Sequence, residues 1–277
     1  ASITTKSGQQ VIDVANSAGI QVLGDGGLAI INAGQLKPEV IDAHGVSQSI
    51  TVHGAGANSI VVKAGGGQAE LYSHSPSQTV VAGLPGENGS ITIQGGTQRG
   101  AIGNISADTG TQTVKTTGTL TLTGGTAAAI APLNFDQTDC RPACASLFSG
   151  GGLQTIDAGA IVVQGGASGS ENLASIRGDA GQSITIRGAG GLTVRGGGGL
   201  GTGSDYSNFA IVENFGSAQL ITFLTPGAPL DIHAGDTALR HFAGIYNGSI
   251  DGGGQSILGA PVVTITGAEK VYANGTR

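Results

Sequence analysis

The chain has 277 residues, 52 of them glycine, with 11 % charged and 4 % aromatic residues and a formal net charge of −6. Disordered chains are poor in apolar residues and rich in charge, whereas this one is 39 % hydrophobic. Collagen needs glycine at every third position, and no such period occurs. Basic residues are scattered (Lys6, Lys37, Lys63, Arg99, Arg187, Arg195), which excludes a phosphate-neutralising cluster for nucleic acid, and no apolar run approaches the roughly 18 residues of a membrane helix.

Strand signals begin at Ser2-Ile3-Thr4-Thr5. Gln9-Gln10-Val11 then opens a series in which glutamine precedes a small residue and an aliphatic one. It continues as Gln48-Ser49-Ile50, Gln78-Thr79-Val80, Gln112-Thr113-Val114, Gln154-Thr155-Ile156, Gln182-Ser183-Ile184, the degenerate Gln219-Leu220-Ile221, and Gln255-Ser256-Ile257. From Gln48 onward the intervals run from 28 to 42 residues. A short strand recurring at such a period marks one supersecondary unit stacked on copies of itself.

A second alternating piece follows the first in most units and usually ends in Gly-Gly. It stands at 90–96, 120–125, 161–166 and 192–197, and more loosely at 230–233 and 263–267. A third, weaker piece (172–176, 208–212, 241–245) shares a Leu or Phe, then Ala, then an aliphatic two residues on. Alternation puts Ile50 and Val52, or Leu192 and Val194, on one face of each strand. Nothing repeats at 3.6 residues over three turns, so the expected class is all-β.

Three short faces per unit describe a right-handed parallel β-helix (β-solenoid) of about seven to eight irregular coils. Stacked at about 4.8 Å they make a rod of roughly 35–40 Å. The expected organisation is one solenoid domain over 1–277, with corner insertions, the largest at 127–151. Glycine is expected to supply positive-φ corners between strands. Gln48, Gln78, Gln112, Gln154, Gln182, Gln219 and Gln255, at one coil position, are expected to anchor the repeat as an amide ladder, each amide donating to the next carbonyl.

Both cysteines fall in Cys140-Arg141-Pro142-Ala143-Cys144. No histidine or second cysteine pair lies near enough for a zinc site, so a local disulfide is expected, worth about 2 kcal/mol for so small a loop. It implies an oxidising, extracytoplasmic compartment. A chain opening Ala1-Ser2-Ile3 is expected to be a mature product after signal-peptide removal.

The densest ionisable group is Asp231, His233, Asp236, Arg240 and His241. It is the alternative site for a polysaccharide lyase or hydrolase, weighed against a plain solvent-facing strand and corner. The tract 196–205 loosely matches a calcium turn but occurs once, whereas shared-ion solenoids repeat it, so a corner is expected there. No cofactor and no metal are expected.

The run Gln182-Ser-Ile-Thr-Ile186-x-Gly188 followed by Leu192-Thr-Val-x-Gly196-Gly197 resembles the coils of secreted bacterial β-helix proteins of the filamentous-haemagglutinin and autotransporter-passenger adhesin type. The resemblance covers most of the chain. It implies a cell-surface or extracellular fibre, adhesin or matrix role, and it supplies no catalytic residues. The function expected is therefore non-enzymatic: a structural or adhesive solenoid, associating head to tail with itself. A host or cell-surface glycan or protein is a further candidate partner.

Overall fold

The computed structural model describes residues 1–6, 8–15, 19–34, 47–54, 56, 59–127, 143–169, 172–198, 208–235, 242–248 and 253–267. Among these every regular element is a strand and every strand pairing is parallel. Each coil contributes one strand to each of three rows. The first row is an eight-stranded sheet: Ser2–Thr5, Ala29–Ala33, Ala69–Ser73, Gly103–Ala107, Ala145–Ser149, Ala174–Gly178, Ala210–Asn214 and Ala243–Asn247. The second row stacks Gln9–Val14, Ser47–Val52, Ser77–Ala82, Thr111–Thr123, Gln154–Gln164, Gln182–Ile186, Gln219–Phe223 and Gln255–Leu258.

The third row stacks Ile20–Gly24, Ile60–Ala64 and Ile91–Gln94 below the second halves of Thr111–Thr123 and Gln154–Gln164, then Leu192–Arg195, Pro229–His233 and Val262–Thr266. Those two long strands turn the corner without leaving the ladder, so the second and third rows form one 14-stranded sheet. Small residues make the bend possible: Thr117-Gly118 in one strand, with a register shift between Thr116 and Thr119, and Gly159-Ala160 in the other. The result is a parallel β-solenoid.

Alternation explains the core. In the second row Ile50, Val80, Val114, Ile156, Ile184 and Ile221 occupy one register position, and all are buried. Equivalent ladders run through Ile60, Ile91, Leu120, Ile161 and Leu192 in the third row, and Leu71, Ile105, Leu147, Ile176 and Val212 in the first. Each such side chain stabilises the fold by about 1.5–3 kcal/mol relative to exposure.

Two expectations change in detail. Part of the stretch expected as an insertion, 145–149, is a regular first-row strand, pairing with Gly103–Ala107 on one side and Ala174–Gly178 on the other. Its Ala-Ser-Leu-Phe-Ser sequence obeys the same small-x-aliphatic rule as Ala174-Ser-Ile-Arg-Gly. The Gly-Gly pairs also serve a purpose other than left-handed corners. Gly125 and Gly166 have ordinary φ, but a Cβ on either would lie 2.2 or 2.1 Å from the carbonyl oxygen of the glycine one coil below. Coils touch backbone to backbone at this corner, and only hydrogen fits between them. Positive φ is met elsewhere, for example at Gly83 and Gly191.

Candidate functional site

One glutamine near the start of each second-row strand (Gln10 rather than the exposed Gln9 in the first) lies at the position where the first row passes into the second, and these form a ladder. Gln48 Nε2 donates to Gln10 Oε1, Gln78 to Gln48, Gln112 to Gln78, Gln154 to Gln112, Gln182 to Gln154, Gln219 to Gln182 and Gln255 to Gln219, at 2.5–2.8 Å. From Gln10 to Gln219 these side chains are no more than 4 % exposed. A buried primary amide must place both hydrogens. The second one crosses to the first row: Gln78 Nε2 reaches Leu71 O at 3.3 Å, Gln112 reaches Ile105 O at 3.4 Å, and Gln182 reaches Glu213 O at 3.2 Å. The ladder thus ties consecutive coils to each other and two rows to one corner.

This chain of amides has a direction. Every donor points toward the N-terminal coil, so the donor end is Gln10, whose Nε2 binds Asn32 O (2.9 Å) and Thr5 Oγ1 (3.2 Å). The acceptor end is Oε1 of Gln255, which is exposed. The same two coils leave aliphatic side chains in water: Ile3 and Val11 at 56 and 59 %, Val262, Val263 and Ile265 at 49–58 %.

Asp231 and His233 lie on the outward side of Pro229–His233, alternating with the inward Leu230 and Ile232. Asp231 stands in register with Thr193 and Thr264, and His233 with Arg195 and Thr266. The N–H of Gly235 donates to His233 Nδ1 at 3.0 Å. Asp236, Arg240 and His241 lie outside the described residues. No group of three His, Cys, Asp or Glu able to hold a metal occurs among the described residues. Cys144 is buried just before Ala145–Ser149, and Cys140 lies outside the described residues, as does most of the 196–205 tract.

The outward side of the first row carries a strip of aromatic and ionisable groups that the sequence analysis did not single out. Tyr72 OH donates to Asp108 Oδ2, and His74 stacks on Tyr72 with ring centroids 6.5 Å apart. Burial, then the hydrogen bond to Asp108, pushes the Tyr72 hydroxyl up; burial, then the Asp108 charge, raises Glu70. Three coils on, the Arg177 guanidinium lies 4.6 Å from the Phe215 ring centroid and 5.7 Å from that of Phe148, and binds Asp179 at 2.7 Å. In register beside it, Glu213 is 2 % exposed, and no donor among the described residues reaches its Oε2. Burial pushes its carboxyl up to about 7, against the lowering effect of Arg177, with Asp179 adding a smaller rise. Spacing of two residues (Glu70, Tyr72, His74; Arg177, Asp179; Glu213, Phe215) was the available signal for one outward face.

The third row has a shallow groove of about 410 Å³ between Leu23, Asp25, Lys63 and Gln94 near the N-terminal coils. No helix among the described residues is long and apolar enough to cross a membrane. Searches with this chain match no protein-family model, no curated protein and no solved structure.

Proposed function

We propose that this chain is a non-enzymatic, extracellular structural or adhesive β-solenoid, a subunit of a cell-surface fibre, sheath or matrix that associates end to end. The observation that carries this reading is the buried amide ladder: seven successive rungs spent on cohesion along the rod axis. Polar groups inside a scaffold that are satisfied only by their own repeat serve axial strength rather than ligand chemistry. The adhesin-type resemblance of the coils supports the same role. The coils wind right-handed in this proposal, as about 98 % of crossovers between parallel strands of a sheet do. An oxidised Cys140–Cys144 pair in untreated protein, read by mass spectrometry, checks the extracellular compartment; two free thiols in secreted material contradict it. A surface glycan or protein on the host or on a neighbouring cell is the proposed adhesive partner.

Incubation with pectins, alginates and other glycans tests the function. The expected outcome is no released product, with Asp231→Ala/His233→Ala leaving stability and association unchanged. A polysaccharide-processing enzyme is the second reading, and one observation favours it: Glu213, with its raised carboxyl, shares the first-row face with Asp179 and Arg177. A raised carboxylic acid near a second carboxylate is glycosidase equipment. Its burial ranks it second, because a general acid must come within hydrogen-bond reach of the leaving oxygen. Turnover that disappears in Glu213→Gln or in the Asp231/His233 double variant overturns the non-enzymatic reading.

A further inference from the structure

The two ends of the coil stack are complementary in kind, rung for rung. Among the described residues, Ser2–Thr5, Gln9–Val14 and Ile20–Gly24 are each paired on one side only, as are Ala243–Asn247, Gln255–Leu258 and Val262–Thr266. An unpaired strand edge offers backbone N–H and C=O groups to another strand. Projecting the observed registers one coil further puts Ile245 against Ile3, Gln255 against Gln10, Ile257 against Ile12, Val263 against Ile20 and Ile265 against Val22. Each of these inward positions meets an aliphatic or amide side chain of its own class from the same ladder.

Direction matters as well. A second copy stacked with its N-terminal coil on this C-terminal coil presents the Gln10 donor to the Gln255 acceptor, the polarity of all seven internal rungs. Joining two N-terminal coils would face donor to donor. It would also require antiparallel strands in a stack whose pairings are all parallel.

We propose that the C-terminal coil of one copy docks on the N-terminal coil of a second in this register, with Gln10 Nε2 of the incoming copy exchanging its longer bond to Thr5 Oγ1 (3.2 Å) for one to Gln255 Oε1 while keeping that to Asn32 O. The occupant is a second copy of this chain, because a copy matches all three rows in register and continues the amide ladder. The contact joins two different surfaces, so it propagates into a filament rather than closing as a two-fold dimer. It rests on the proposed end-to-end role and adds which strands meet, in which register and with which polarity.

Two charge variants of the full chain and one cysteine pair test it. Val263→Lys/Ile265→Lys alters the C-terminal edge, and Ile3→Lys the N-terminal edge; all three side chains are solvent-exposed in the single chain, so folding is retained, as circular dichroism checks. In sedimentation velocity the wild type forms a concentration-dependent series of oligomers. Each variant alone is expected to associate at least about tenfold more weakly, because an unpaired charge would be buried at the contact. Mixing the two variants leaves one intact contact and stops at a heterodimer. Either variant forming a strong homodimer alone overturns the polarity.

Register is read by crosslinking. Val11 falls opposite Ser256 when Gln10 sits on Gln255, and neighbouring strands about 4.8 Å apart lie within disulfide reach. Val11→Cys/Ser256→Cys is expected to give reducible multimers under oxidation, and Val11→Cys/Ile257→Cys to give none. Filaments without crosslinks overturn the register while leaving the end-to-end role intact. Wild type that stays monomeric at millimolar concentration overturns the docking. So does slow amide exchange at 262–266 in the monomer, which means that another part of the chain covers that edge. Neither result bears on the glycan assays that test the enzymatic alternative.

Discussion

At the scale of single residues the solenoid is limited by contacts that leave no room. A Cβ at Gly125 would sit 2.2 Å from Gly96 O and 2.5 Å from the Ala143 Cβ, and backbone that is hydrogen-bonded to both neighbouring coils has little freedom to retreat. Gly125→Ala is therefore expected to destabilise the protein by about 2–4 kcal/mol in urea unfolding, the cost of overpacking plus backbone displacement. Gly26, with nothing within 4 Å and no positive φ, is the control, and Gly26→Ala should be neutral or slightly stabilising. Glu213 sets a pH dependence of opposite sign to the usual carboxylate. Its folded value of about 7 lies above the ordinary 4.5, so the folded state holds the proton more tightly than the unfolded chain. The stabilisation is fully present below about pH 4.5 and is lost as pH rises through about 7, amounting to about 3 kcal/mol at most. Unfolding free energies measured from pH 4 to 8 should show that decline, and Glu213→Gln should flatten it.

At the scale of the element, the amide ladder behaves as one structure with an interior and two ends. Removing an internal rung strands a buried group. In Gln112→Leu, Gln78 Oε1 loses its donor, whereas Gln154 Nε2 loses one acceptor but keeps Leu147 O (3.3 Å) and Arg177 O (3.1 Å). One orphaned buried oxygen costs about 1–3 kcal/mol, and the variant should lose that much. Gln255→Leu also takes the donor from Gln219 Oε1, but Gln255 itself is exposed, so water can take the donor's place and the cost in the monomer should be less than about 1 kcal/mol. Equal losses at the two positions would show that the ladder is not cohesive in the way its geometry implies. The first row alternates with similar discipline, but its outward side is used differently. Arg177 is held between Phe148, Phe215 and Asp179, so a cation stacked between two rings fills the place that solvent occupies on an ordinary outward strand face.

At the scale of the molecule each coil packs chiefly on the coil before and the coil after, so stability is nearly a sum of neighbouring interfaces. Such a stack frays from its ends. Amide exchange should be slowest in Thr111–Thr123 and Gln154–Gln164, which pair on both sides in two rows, and fastest in Ser2–Thr5 and Val262–Thr266. Association in the proposed register turns both edges into interior and should slow exchange there first. The long strands carry a second consequence: a corner without a loop couples the second and third rows at mid-stack, so the centre is the stiffest part of the rod.

Local pattern alone determined a good deal. The period-two alternation of Val, Ile and Thr could only be strand, and from Gln48 onward the recurring Gln-small-aliphatic triplets identify one coil position, because parallel stacking places like residues on like; in the first coil the ladder residue is Gln10, one residue past the start of the Gln9-Gln10-Val11 triplet. Asp231 and His233 could be assigned to one outward face for the same reason. Other features needed the third dimension. A glycine that permits a left-handed turn and one that permits two backbones to touch are the same letter, and only the coil-to-coil distance at Gly125 separates them. Ladder direction is equally invisible in one dimension, since an amide can donate up or down the stack until the first-row carbonyls claim its second hydrogen. The strand at 145–149 was absorbed into an insertion because its neighbours in space are 42 and 29 residues away along the chain. The raised carboxyl of Glu213 arises from burial, against the opposing charge of Arg177, a residue 36 positions earlier that register, not sequence, brings to its side.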